Sequence, residues 1–480
     1  MGSSSPLASG LDAGLGARDR VLDAVKAFAL VVVVVGHGLE WDTSTGSPTA
    51  VLDQHPGLVW VTWIAQVLPL FFAAGAVANA VSWHRDPDVA AYLRRRLVRL
   101  ATPGLVYTAV WTVLLLPLAL LVPLAGFAGR FLAELVWFLA VYAAATAAVP
   151  WTTRWTRRPW LSVGLWLGAI IAVDLLRWNV WAPLGWLNLV LVWAFVHQVG
   201  YHLPALREAR RAWLVSGSVV AVAAAVGLGV LGPYSSSMVS FGGDPEPSNL
   251  APPTLVVALY GLGQILLLAA LWPWLVRRLA ADQTYRAVGA VGSRAIGIYL
   301  WHIPFVALVA GAAWGLGFTA RPLGLPWWLV HALGLVVILP AAWGVAGPAA
   351  AFDRGARTWA AQRRPWTHAV VPFAVVIPLA LCSISVTGFG TWWGPGMLDM
   401  PSSSVLNLAV LALAWFALAA RGQSGRPGTV VSAGDDVAPG PAPRHPRGKA
   451  EGATSSHREA SGVVHRPASA RPGVPDPWTP

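Results

Sequence analysis

Long apolar runs alternate along this chain with short polar connections, most of which carry arginine. The runs lie at roughly 21–39, 59–82, 98–124, 131–150, 160–177, 183–202, 212–232, 253–275, 291–312, 326–348, 368–388 and 403–420. Runs of this length suit a hydrocarbon core of ~30 Å. Only a helix satisfies all its backbone groups internally while crossing as a single segment. The pattern predicts an all-α, polytopic membrane protein with about twelve transmembrane helices. Residues 1–19 have no apolar core, and no small-residue cleavage site ends the first run, so that run is expected to stay in the protein. From 421 to 480 the chain turns Pro-, Gly-, Ser- and Arg-rich and loses its apolar periodicity, which predicts a disordered tail.

Composition agrees with the pattern. Hydrophobic residues make up 56% of the 480 positions and charged residues 11%, against about 25% charged in soluble chains. The 28 tryptophans suit membrane interfaces, where indole sets a ring and an N–H at headgroup level. A single cysteine, Cys382, excludes an intramolecular disulfide framework.

The net charge of +12 invites a nucleic-acid reading, and its distribution removes it. Arginines cluster in every second connection: Arg18 and Arg20, Arg94 to Arg99, Arg154 to Arg158, Arg207 to Arg211, Arg277 to Arg286, Arg354 to Arg364, and Arg421 with Arg426. The alternate connections hold only Arg130, Arg177 and Arg321. By the positive-inside rule both termini are cytoplasmic, and the basic charge belongs to short cytoplasmic turns.

The first run, Arg20 to His37, carries three ionisable side chains in apolar surroundings: Asp23, Lys26 and His37. Such groups cost roughly 2.5–3.5 kcal/mol each near a helix centre. Lys26 and His37 are eleven residues apart, close to three turns, so they share a face and are separated by roughly 16 Å. Asp23, one turn before Lys26, is placed to pair with it. A snorkelling anchor and an interfacial histidine are the plain alternatives. Lysine is otherwise found only at Lys449, which makes its use here notable. At the start of the third run, Arg96 and Arg99 share a face with Arg95 beside them. Guanidinium forks suit a phosphate-rich ligand, and a strong topology signal reads equally well.

In sequence order these stretches resemble the membrane-bound acyltransferase-3 family. The Leu22-Asp-Ala-Val-Lys-Ala-Phe-Ala to His37 stretch is similar to its opening motif, Pro69-Leu-Phe-Phe-Ala-Ala-Gly75 to its second-helix segment, and Arg96-Leu-Val-Arg99 to its Arg-x-x-Arg pair. Glu134-Leu-Val-Trp-Phe-Leu139 and Ile298-Tyr-Leu-Trp-His-Ile-Pro304 resemble two later motifs, so that the likeness spans about 18–350. Two departures stand out: Lys26 where the family has arginine, and Ala74 where serine commonly precedes the glycine. Lysine keeps the charge and loses the planar fork.

The resemblance implies an O-acyltransferase core over 20–350, two added helices over 351–420, and a location in the plasma membrane. It implies acyl-CoA as co-substrate, acetyl-CoA first among donors, with no permanently bound cofactor and no metal. The acceptor is a hydroxyl outside the membrane, on a glycan, a glycolipid or a glycosylated metabolite. His37 is the expected general base, with Lys26 and Asp23 alongside it, Arg95, Arg96 and Arg99 on the donor, and Tyr299 and His302 in support. A secondary transporter and a non-catalytic protein on the same scaffold are the rival readings. Against the transporter stands the lack of visible similarity between the two halves.

Overall fold

The computed structural model describes residues 19–46, 49–239, 248–365 and 367–421. The N-terminal segment before residue 19, the tail from 422, and part of the loop before Ser248 lie outside the described residues. The described chain is almost wholly helical, with two short antiparallel ladders, Trp41–Asp42 against Thr49–Ala50 and Gly394–Pro395 against Pro401–Ser402.

The principal helices are α1 (Arg20–Leu39), α2 (Leu68–Arg85), α3 (Val89–Leu118), α4 (Pro123–Glu134), α5 (Val136–Thr152), α6 (Pro159–Asn179) and α7 (Asn188–Tyr201). After them come α8 (Arg211–Val230), α9 (Leu255–Arg278), α10 (Asp282–Gly315), α11 (Leu325–Ala361), α12 (Val370–Thr387) and α13 (Ser404–Ala419). Among the described residues, eleven helical segments are long and apolar enough to cross a membrane, and the twelfth expected run is the shorter α13. The chain is an all-α, polytopic membrane protein.

Local chemistry fixes the helix ends. Asp19 accepts from the backbone N–H groups of Val21 (3.0 Å) and Leu22 (3.3 Å), starting α1. Asp88 caps α3 through Ala91 N–H at 2.6 Å, so α3 begins nine residues before its apolar run. The arginine-bearing turn is therefore helical and projects its side chains at fixed angles.

Close helix contacts use small residues, as expected where lipid supplies no hydrophobic drive between helices. A β-carbon at Gly75 would overlap the Tyr142 hydroxyl, and one at Gly297 would approach the Ala346 side chain at 2.9 Å. The first helix packs chiefly on α10, then on α2 and α11. Its opposite side is open, with Phe28 57% and Val31 47% exposed.

The two ends of the bundle differ. At the basic end, Arg20 donates to Ala280 O (2.8 Å) and pairs with Asp282 (2.9 Å), while Arg207 pairs with Asp19 (3.4 Å). At the other end the loops interlock. Thr43 donates to Phe318 O (2.6 Å), Trp314 to Gly46 O (2.8 Å) and Trp63 to Ser236 O (2.8 Å). Asp174 is fully buried there. It accepts from Asn188 (3.0 Å), Tyr234 (2.9 Å) and Leu255 N–H (3.0 Å), and has the Arg177 guanidinium at 3.4 Å.

Candidate active site

His37 and His302 meet inside the bundle. His37 lies near the end of α1, and its Nδ1 is 2.8 Å from Val33 O one turn back. His302, on α10, has Nδ1 at 3.1 Å from Ile298 O, also one turn back. A carbonyl only accepts, so each Nδ1 carries the proton, and in the neutral form of each imidazole Nε2 is left as the acceptor. His302 Nε2 is then an acceptor, and it lies 3.3 Å from His37 Nδ1. The His37 Nδ1–H is thus shared between Val33 O and His302 Nε2. Among the described residues nothing bonds His37 Nε2, which keeps its lone pair for an incoming proton. Pro304, two residues past His302, lacks the N–H that would close on Leu300 O, a local break in the α10 ladder beside the pair.

Below the pair, toward the basic end, lies an apolar cavity of about 60 Å³, where one water needs roughly 10–15 Å³. Ala29, Leu30 and Val33 of α1 form one wall; Phe138, Leu139 and Tyr142 of α5 and Ala295, Ile296 and Tyr299 of α10 form others. Leu68 and Phe71 of α2 and Leu100 of α3 complete its lining. Its two polar groups are phenols, and that of Tyr299 is committed to Leu135 O at 2.9 Å. Lys26, Ala29, Leu30, Val33 and His37 follow helical spacing, so one stripe of α1 runs from the lysine along the cavity to the histidine. A smaller cavity of about 30 Å³ at the basic end, between His84, Thr153 and Tyr201, shares no residue with this site.

The remaining expected site residues fall at the basic end. Lys26 is half-buried. Asp23 accepts from the Tyr285 hydroxyl at 3.4 Å, a partner on α10. Arg96 turns inward, donates to Ala78 O at 2.6 Å and has a buried Nε without a hydrogen bond among the described residues. Its electrostatic neighbours include Tyr142 of the cavity wall. Arg99 is exposed, and Arg95 forms an exposed ion pair with Asp86 at 3.0 Å. These groups do not touch the histidine pair; the cavity separates them from it.

A family model described as an acyltransferase domain matches residues 19–347. The chain belongs to the acyltransferase-3 family. No curated protein and no solved structure matches it. As a member of the acyltransferase-3 family it is a multi-pass membrane acyltransferase. The matched stretch of this acyltransferase ends inside α11, so α12 and α13 lie beyond it.

Two acidic residues near the pair were not among the expected site residues. Glu40 follows α1 one turn past His37, and Glu134 ends α4 beside Leu135, whose carbonyl holds Tyr299. Burial first, and Glu134 second, hold the Glu40 carboxyl well above its usual range. The spacing His37-x-x-Glu40 was the available signal. Among the described residues no cluster of histidine, cysteine, aspartate and glutamate has metal-holding geometry.

Proposed function

We propose that the protein transfers an acyl group from acyl-CoA on the cytoplasmic side of the plasma membrane to a hydroxyl on the outer side, with His37 Nε2 as general base. One observation carries this: the His37 Nδ1–H is held by Val33 O and His302 Nε2, which aims an unprotonated Nε2 away from the pair. That is the base-and-orienter arrangement acyl transfer needs. The basic end, read as cytoplasmic by its arginines, supports donor entry from that side.

In this reading the donor's phosphates rest on Arg96 and Arg99, and the pantetheine arm follows the α1 stripe past Lys26. The acceptor hydroxyl gives its proton to His37 Nε2 as its oxygen attacks the thioester carbonyl. The tetrahedral intermediate collapses with cleavage of the C–S bond, and the thiolate takes the proton back from His37 as coenzyme A leaves. His302 is a positioning residue, since its Nε2 lone pair fixes the His37 tautomer. Using Tyr299 on the oxyanion would require release of its bond to Leu135. Glu40 and Glu134, on the outer side of the pair, suit hydrogen bonds to the hydroxyls of a glycan, glycolipid or glycosylated metabolite.

His37→Ala in the full-length protein is expected to abolish acyl-CoA-dependent esterification while insertion and thermal stability persist. Mass analysis of envelope glycans and glycolipids reads this directly. Undiminished ester in a stably folded variant refutes the assignment.

A further inference from the structure

The arginines at the basic end are only partly accounted for by Arg96 and Arg99. Helices α12 and α13, which lie beyond the family match, pack on α5 and α3 respectively. Trp415 of α13 donates to Thr102 of α3 at 2.9 Å. Arg94 reaches from α3 to the carbonyls of Leu418 (3.4 Å) and Ala420 (3.0 Å), binding the end of α13 against the arginine run. Arg421 follows at once. It is only partly covered and has no hydrogen bond or ion pair among the described residues. Its pKa is lowered by partial burial and then by the charges of Arg94 and Arg95. Five guanidinium groups, Arg94, Arg95, Arg96, Arg99 and Arg421, therefore share this end of α3, and the one carboxylate bonded to any of them in the described residues is Asp86.

Like charges held together repel, and a multivalent anion relieves them. Phosphate oxygens are the matching chemistry, and either a nucleotide or an anionic lipid headgroup supplies them. Arg96, which turns inward beside Tyr142 of the cavity wall, favours the nucleotide. Acyl-CoA carries, in covalent order, the acyl group, the pantetheine arm, the pyrophosphate and the ribose 3′-phosphate. Moving from the histidine pair toward the basic end, the protein offers the apolar cavity, then Arg99 and Arg96, then Arg95 with Arg94 and Arg421 at the rim. We propose that Arg421, delivered by α12 and α13, binds the 3′-phosphate of the donor nucleotide beside Arg95. This rests on the acyl-CoA reading above and extends the donor site to a residue outside the family core.

The test titrates coenzyme A and its 3′-dephospho form into the full-length protein in nanodiscs, with acyl transfer assayed separately. The wild type is expected to bind coenzyme A roughly tenfold more tightly than the dephospho form, the factor for one charge-assisted phosphate contact. Arg421→Gln is expected to erase most of that difference, and Arg421→Lys to restore part of it. Equal binding of the two forms by the wild type, or a difference that survives Arg421→Gln, overturns the proposal. Repetition in neutral and in anionic nanodiscs separates the phosphate sources: a variant that loses only retention of anionic lipid assigns Arg421 to a headgroup and also overturns it. Acyl transfer from acyl-CoA that persists in either failing case leaves the proposed function standing. Absence of any acyl-CoA-dependent transfer by the wild type refutes that function instead.

Discussion

In the proposed mechanism one nitrogen carries the chemistry. His37 Nε2 is available because two acceptors, Val33 O and His302 Nε2, compete for the proton on the other side of the ring. Replacing His302 with Phe removes one acceptor and the restraint on ring orientation. It should lower kcat by roughly ten- to a hundredfold, the scale on which an orienting partner acts. His302→Gln, whose amide oxygen accepts from the same N–H, should recover part of the loss, and steady-state kinetics with a fixed acyl-CoA separates the two variants. Lys26→Arg tests the departure from the family pattern. A raised kcat/KM for the donor would mean that the fork lost at this position matters. Both histidines were legible in the sequence, and so was the stripe joining His37 to Lys26. Their contact was not, because 265 positions separate them and no local pattern reports which helices pack together. The approach of Glu134 to Glu40 was hidden for the same reason, since only folding brings the two carboxyls together.

At the scale of single helices, hydropathy located nearly every segment and misjudged several ends. The third run was expected from residue 98, yet α3 starts at Val89, because four arginines depress hydropathy without opposing helix formation. The expected span over 131–150 is divided near Leu135 into α4 and α5, a break that apolar composition does not register. Asp174 shows what such reading misses altogether. It sits among apolar residues near the end of α6, and its partners lie 14, 60 and 81 positions away. With its side chain 1% exposed, it joins α6, α7 and the start of α9. Asp174→Ala would leave Arg177 without its buried counter-ion and three donors unpaired. It should destabilise the protein by about 3–5 kcal/mol, seen as a lower melting temperature in detergent.

For the molecule as a whole, the alternation of arginine-rich and arginine-poor connections predicts an orientation that single-cysteine labelling checks. In a Cys382→Ser background, Gly57→Cys should react with a membrane-impermeant thiol reagent in intact cells. Glu208→Cys should react only after permeabilisation, and the reverse pattern would invert the topology. The apolar filling between Lys26 and His37 has one more consequence. A histidine pair near one face and a row of cations near the other look like the ends of a proton wire. The cavity between them is lined by apolar side chains and two phenols, one of them committed to Leu135 O, and these offer a hopping proton no continuous chain of donors and acceptors. On the proposed reading, the gap that would take the donor's arm is therefore a poor path for a proton.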